Sequence, residues 1–390
     1  MKYQGINLEN VKLSNRSSIL LLLNNSGAMS RKDIAETVGL TAASVTLICS
    51  ELLEEGLIVE LGEANEEKRV GRKKILVDIN PEYGNVLCIA VESDVTYISV
   101  TDMKGRVLCN VKIPTDKNVN PEKFFKNVTD ECQRLFWKNG IAKEKVLGAT
   151  VTIPGSVDRK NGISLNTYSI WNESIPVARL IQKELGIDVV VENNLKAYAQ
   201  TEIYFGIGRT VNNFFVLKWG PGVGASIVID GKIYQGSNKM AAEIGHMSAV
   251  KDGRSCNCGR KGCLETYVST KAIMDDIKKS LEKKDVDIDD ITMENPNVRW
   301  IITEKLDMLA HNLRNTISVL DPKHVVLVGY MFDIPGIAGR FIEAYKGYDP
   351  LVTDDFFVKS ELSVNENHIE GLAVLLSEVF LTQAINEKGQ

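Results

Sequence analysis

Apolar residues recur at helical spacing near the start of the chain, where Leu13, Ile19, Leu20, Leu22 and Leu23 mark a helix from Ser14 to Asn25. Asn24-Asn25-Ser26-Gly27 stops it. A shorter helix, Arg31 to Val38, is predicted behind Ser30 as its cap, with Ile34, Ala35 and Val38 on one face and Gly39 in the turn beyond. Thr41 caps a third helix running to Glu55, in which Val45, Ile48, Cys49, Leu52 and Leu53 keep the helical period. Two short helices joined by a glycine turn are a helix-turn-helix. After Gly56 the pattern changes to two strand-like runs, 57–61 and 74–79, joined by a polar loop like the wing of a winged helix.

Asn80-Pro81-Glu82-Tyr83-Gly84 is a turn-rich junction, and from Val86 strands alternate with helices. A hairpin is expected from 86–91 and 96–101, helices over 121–139, 175–185 and 298–318, and strands over 146–153, 214–218, 225–229, 232–234 and 325–328. This is an α/β pattern of mixed order, with no short internal repeat. The charge-rich stretch 278–290 reads as a solvated helix and loop.

At 390 residues the chain is long enough for two or three domains. Its 44% apolar and 25% charged residues exclude wholesale disorder, collagen and coiled coil. The longest early apolar run, Ile19 to Leu23, is too short for a signal sequence or a membrane span, so a cytoplasmic protein with no membrane partner is expected. A net charge of −5 argues against a surface that coats nucleic acid throughout. The positive charge is local instead: Lys68, Arg69, Arg72, Lys73 and Lys74 crowd the wing loop, whereas residues 1–80 carry 10 basic and 11 acidic groups in all.

A basic wing beside an uncharged helix suits phosphate anchoring next to base readout in double-stranded DNA. The candidate DNA contacts are Arg31, Thr41, Ala42, Ala43, Ser44, Thr46, Arg69, Arg72 and Lys73. The helix face has no Arg or Asn for bidentate pairing, so its base contacts would be small and partly apolar, for example thymine methyls against Ala43 or Thr46. The alternative is a helix-turn-helix shape serving protein contacts only.

Of seven cysteines, Cys49, Cys88, Cys109 and Cys132 are scattered singly, which does not suit a secreted disulfide framework. Cys256, Cys258 and Cys263 are clustered.

These residues stand among motifs by which the chain resembles the ROK family (repressor, open reading frame, kinase) over essentially its full length. Glu243-Ile-Gly-His246 and Cys256-Asn-Cys258-Gly-Arg-Lys-Gly-Cys263-Leu-Glu265 carry the resemblance most strongly. Pro154-Gly155-Ser-Val-Asp158, Glu192-Asn193-Asn194, Gly220-Pro-Gly222-Val-Gly224 and Asp321-Pro322 support it. The resemblance implies an α/β fold with a winged helix-turn-helix over 1–80, followed by a two-lobed, actin-like sugar kinase fold. The small lobe would span 81–195, completed by a C-terminal helix 369–390, and the large lobe 196–368.

Three thiolates in C-x-C-x4-C and His246 ten residues earlier can supply four ligands to tetrahedral zinc, a closed and hence structural site; disulfide pairing is the alternative. The resemblance places a monosaccharide effector beside it, held by Gly155, Asn193, Asn194, Glu243, His246 and Glu265. Carboxylates and amides together supply the acceptors and donors that a polyol needs. One nitrogen of His246 would bind zinc and the other would face the sugar. Trp171 reads equally as pocket lining or as core.

Kinases of the family carry Asp-x-Gly-Gly-Thr where this chain has Glu92-Ser93-Asp94-Val95-Thr96, Gly-Thr-Gly where it has Gly220-Pro221-Gly222, and Gly-Gly where it has Gly329-Tyr330. Asn194 replaces their catalytic Asp, and an amide is no general base. The implied protein is therefore a repressor without enzymatic activity, a homodimer or tetramer on a palindromic operator, released by sugar. The competing readings are a sugar kinase with an accessory DNA-binding domain, and a DNA-binding protein that senses a protein partner.

Overall fold

The computed structural model describes residues 8–63, 74–167, 170–171, 173–237, 241–360, 362 and 371–376. The chain opens with α1 (Leu8–Ser26), β1 (Met29–Ser30), α2 (Arg31–Val38) and α3 (Ala42–Glu54), then β2 (Ile58–Glu63) and β3 (Ile75–Ile79). α2 and α3 meet at 118°, a helix-turn-helix angle. The caps fall where local chemistry demands them. Ser30 accepts from Asp33 N, Thr41 accepts from Ser44 N, and Gly39 takes φ 70°, which a side chain would resist. α1 begins earlier than the apolar period predicts, because ion pairs from Lys12 to Glu51 and from Arg16 to Glu55 hold its first turns against α3.

β4 (Asn85–Val91), β5 (Val95–Thr101), β6 (Val107–Pro114), α4 (Pro121–Asn139), β7 (Val146–Ile153), β8 (Ser156–Asp158), β9 (Ile163–Asn166), α5 (Val177–Leu185), β10 (Val189–Asn193) and α6 (Asn194–Phe205) follow. The remainder is β11 (Phe214–Trp219), β12 (Val223–Ile229), β13 (Lys232–Ile233), α7 (Glu265–Val268), α8 (Thr270–Leu281), α9 (Pro296–Leu320), β14 (His324–Val328), α10 (Tyr330–Asp333), α11 (Ile337–Tyr348) and β15 (Phe357–Lys359).

Two five-stranded sheets share one topology. Their orders are β10-β7-β4-β5-β6 and β13-β12-β11-β14-β15, each a three-strand antiparallel meander whose first strand continues into two parallel strands. The repeat is of path rather than of residues, since each face needs only buried apolar side chains in the right register.

α4 shows how a lobe is covered. Asn120 caps it, Pro121 starts it, Gly140 at φ 65° ends it, and Phe124, Phe125, Val128, Cys132, Leu135 and Phe136 face the first sheet. Each such phenylalanine contributes about 1.5–3 kcal/mol on burial. Trp171 belongs to this core: it is 6% exposed, its ring centroid lies 4.9 Å from that of Phe124, and its indole donates to Val119 O. It does not line the cleft.

The junction at 80–84 does not separate two independent bodies. Ile19, Leu20 and Leu23 of α1, Val86 and Cys88 of β4, Tyr204 of α6, and Leu372, Leu375 and Leu376 form one buried cluster. Residues 371–376 are helical, and Gly371 lies so close to β4 that a Cβ there would stand 2.9 Å from Cys88 Cβ.

Candidate functional site

A cavity of about 650 Å³ opens between the two sheets' lobes. Gly155, Asn193, Asn194, Glu243, His246 and Glu265 all line it, so residues spread over more than a hundred positions meet around one cavity. Burial pushes the Glu243 carboxyl upward, against the attraction of Lys196 and Arg260. Burial also raises Glu265, and the charge of Glu243 adds to it, whereas its hydrogen bond with the Val223 backbone opposes it. Gly222 makes room for this carboxylate, because a Cβ there would lie 2.6 Å from Glu265 Oε2.

Asn193 has a local role as well. Its Oδ1 accepts from Lys196 N at 3.1 Å, capping α6, and its Nδ2 donates to Gly155 O at 2.7 Å. Gly155 is required by backbone rather than by ligand: it sits at φ 86°, and a Cβ there would come within 1.9 Å of Asn166 O. Asn194, 6% exposed, donates Nδ2 to Glu92 Oε1 at 3.2 Å. The same carboxylate takes the Lys218 ammonium at 3.0 and 3.1 Å, and Lys218 also lies over the ring of Tyr198. Neither Lys218 nor α6 stands out in the sequence. Half of α6, Asn194, Ala197, Ala199, Thr201, Glu202 and Tyr204, is buried on more than one face, so no apolar stripe marks it.

Beside this cavity lies a second of about 650 Å³, lined by Ser93, Asp94, Lys117, Pro221, Thr270 and Tyr330 among others. It lies on the side where the kinase motifs are altered. Tyr330 fills the turn after β14, donating to or accepting from Thr270 Oγ1 at 2.9 Å. Thr270 N in turn donates to Pro221 O at 2.8 Å.

His246 closes a tight turn, 244–246, and the three cysteines curl beneath it. Cys256 N donates to Arg260 O, and Gly262 N donates to Arg254 O. A Cβ on Gly262 would lie 1.7 Å from Val250 O, so only glycine allows the loop to double back. His246 Nδ1 and the Sγ atoms of Cys256, Cys258 and Cys263 all lie within 4.8 Å of one another, with 3.6 Å from Cys256 to His246 and from Cys258 to Cys263. A disulfide needs sulfurs about 2.05 Å apart. A tetrahedron with metal–sulfur bonds of about 2.3 Å has edges of roughly 3.8 Å, so the donor set fits a four-coordinate metal ion. Burial raises the Cys258 thiol, but Arg260 Nε–H at 3.4 Å and the neighbouring donors outweigh it and bring the group to about 7.

On the winged helix, Thr41, Ala42, Ala43 and Thr46 are exposed and Ser44 half-exposed. Thr46 Oγ1 donates to Ala42 O and Ser50 Oγ to Thr46 O, so these hydroxyls are returned to the helix. Leu47 stands beside them 61% exposed. Arg31 is turned toward the wing strand, where it pairs with Glu60 at 2.8 Å. Arg69, Arg72 and Lys73 lie outside the described residues, whereas Lys74 pairs with Asp33 at 3.1 Å. No single described helix is long and apolar enough to cross a membrane.

Residues 14–59 match a winged helix-turn-helix DNA-binding family, and residues 86–374 match the ROK family. The xylose repressor of Caldicellulosiruptor bescii is 27% identical over 337 residues, covering 81% of this chain and 83% of that one. The transcriptional dual regulator NagC of Escherichia coli is 25% identical over 344 residues, covering 83% and 82%. Among solved structures, a ROK family transcriptional regulator homologous to Escherichia coli Mlc superposes with a TM-score of 0.80 at 23% identity, over 97% of this chain and 98% of that one. A ROK glucokinase from Streptomyces griseus, solved with glucose and AMPPNP, superposes at 0.62 and 22% identity, over 75% and 99%. The latter covers three quarters of this chain and nearly all of its own length, so the two-lobed fold is common to regulator and kinase. Matched over most of its length behind a winged helix-turn-helix, the chain belongs to the ROK family.

Proposed function

We propose that this protein is a sugar-responsive transcriptional repressor of the cytoplasm, and that it has no kinase activity. Two copies would present their α3 helices to a palindromic operator, as a dimer or a pair of dimers, with half-sites about 34 Å apart. A monosaccharide in the interlobe cleft would release the DNA. We take residues 1–80 as the DNA-binding module, 81–195 with 369–390 as the small lobe, and 196–368 as the large lobe.

The observation that carries this reading is the division of the cleft. The part of the cleft with Asn193, Asn194, Glu243, His246 and Glu265 keeps acceptors and donors for a polyol, whereas Tyr330 and Pro221 of the adjoining cavity stand where phosphate chemistry would need open backbone, and Asn194 offers no base. The names of the relatives, xylose repressor and N-acetylglucosamine repressor, support the same class of effector. His246, Cys256, Cys258 and Cys263 would hold structural zinc, which when bound ties the His246 turn to the cysteine loop. The zinc would leave the second ring nitrogen of His246 for a sugar hydroxyl.

Thermal-shift screening of the full chain against D-xylose, D-glucose and N-acetyl-D-glucosamine tests the effector, since tight binding raises the melting temperature. The expected result is one sugar that does so, that loses the effect in Glu243→Ala with Glu265→Ala, and that releases operator duplex. Indifference to every pentose and hexose would overturn the reading. Turnover in an ATP-coupled assay near 1 s⁻¹ or above, about the lower end of ordinary enzymes, would establish the kinase instead.

A further inference from the structure

The element between the cleft and the DNA-binding module is α6, and both of its ends are held from outside. At its start Asn194 donates to Glu92, which also takes Lys218. Glu92 stands just past β4 in the first sheet, and Lys218 lies within β11 of the second, so this ion pair crosses the cleft from lobe to lobe. Their side chains are only 17% and 9% exposed, and both line the same cavity as the six polyol-facing residues. At the other end the carbonyl of Tyr204, in a last turn where helix carbonyls lack internal partners, accepts Asn24 Nδ2 from α1 at 2.9 Å. Asn24 is 8% exposed, and Arg209 donates to its own carbonyl at 3.5 Å. Twelve residues, roughly 18 Å of helix, separate the cleft from the winged helix.

We propose that Glu92 and Lys218 are positioning residues of the effector site, and that α6 carries their state to the winged helix through the Asn24–Tyr204 hydrogen bond. The inference rests on the reading of the cleft as a sugar site and assigns how that site is coupled. A hydroxyl entering the cleft competes for the Asn194 amide and the Glu92 carboxylate, the groups that tie the lobes together. α6 itself bridges the two bodies. Its Ala199 packs with Phe214, Val216 and Val228 of the second sheet, while its Tyr204 packs with Ile19, Leu20 and Leu23 of α1 and with Val86 and Cys88 of the first. Relative movement of the lobes therefore loads α6 and is felt at its Tyr204 end, where it meets α1. A ligand shifts such an equilibrium only through contacts that differ between its states, and the ion pair is such a contact.

The test uses the full-length protein, a duplex it selects from a random pool, and D-xylose, D-glucose and N-acetyl-D-glucosamine as probes. In the wild type one sugar is expected to weaken duplex binding by about 5- to 150-fold, the usual range of coupling. Asn24→Ala should keep its sugar-free duplex affinity and its sugar-induced rise in melting temperature, yet the ratio of duplex affinities should fall toward one. Glu92→Gln combined with Lys218→Met, which leaves no lone charge behind, should lower the ratio and change the affinity for sugar as well. The charge-reversed pair Glu92→Lys with Lys218→Glu should recover part of the ratio. If both Asn24→Ala and the neutral pair respond as the wild type does, the coupling route is overturned while the effector site stands. A wild type indifferent to all three sugars removes the effector site and the route together.

Discussion

The ring of Tyr330 lies against Gly220, so close that a Cβ on that glycine would meet Tyr330 Cζ at 2.8 Å. Gly220 holds φ 101°, and the tyrosine hydroxyl is tied to Thr270. An aromatic side chain thus covers a turn that would otherwise be bare backbone. Burial raises the Tyr330 hydroxyl's pKa, and Asp94 and Glu92 push it the same way, against the hydrogen bond to Thr270.

Removing that ring should not create a kinase. Tyr330→Gly uncovers the turn, but Asn194 still offers no base, and loss of a general base alone costs about 10²- to 10⁴-fold in rate. The expected outcome in an ATP-coupled assay is no sugar-dependent turnover for Tyr330→Gly. Measurable turnover in that single variant would show that a carboxylate base in place of Asn194 is not required.

Withdrawing the metal should loosen the wall of the cleft. Metal analysis of the purified chain is expected to find zinc, and Cys256→Ser or Cys258→Ser should reduce its content. Chelation should lower the melting temperature and weaken sugar binding, because His246 belongs to both the metal cluster and the cavity. An unchanged melting curve after complete chelation would remove the ion's structural role.

Asp276 and Lys305, which line neither cavity, give a separate stability test. Lys305 is 7% exposed and meets Asp276 at 2.6 Å, with Arg254 at 3.1 Å on the same carboxylate. Asp276→Asn strands a buried ammonium and should cost about 3–5 kcal/mol in chemical unfolding. Burial pushes the Asp276 carboxyl upward, but Lys305 and Arg254 overcome it and hold it below its ordinary 3.8. A depressed folded pKa means that the contribution is present at neutral pH and disappears as pH falls below about 3.8 through the folded value. The variant should lack that acid-side loss.

The apolar surface of α3 should matter to DNA and not to folding. Leu47→Asp places a carboxylate at a 61% exposed position, so the melting temperature should hold. Duplex binding should weaken by about 5- to 150-fold, the equivalent of roughly 1–3 kcal/mol for one spoiled contact. In the wing, Arg72→Ala should weaken binding to all sequences alike and reduce the salt slope by about one. Undiminished binding by Leu47→Asp would point to a protein partner for this face.

The capped helices were legible because a cap acts within three or four residues. Ser30 with Asp33, Thr41 with Ser44, and Asn120 with Pro121 each carry their own start signal, and Gly39 and Gly140 their stop. The polar wall of the cleft was legible through its motifs. α6 was not, since a helix buried on several sides loses the periodicity that reveals one. The duplicated sheet topology was equally hidden, because strand order is recorded in no local pattern.

Local chemistry written along the chain was thus enough for the helix-turn-helix, the grouping of His246 with Cys256, Cys258 and Cys263, and the departures from the kinase motifs. Tertiary structure alone brought Lys218 to Glu92 across 126 positions, seated Tyr330 on Gly220, and placed Asn24 at the end of α6. Turns and caps are settled by the few neighbouring atoms that satisfy a backbone group. Which distant charges share a buried cleft is settled by the desolvation each must recover, and that depends on how both lobes pack.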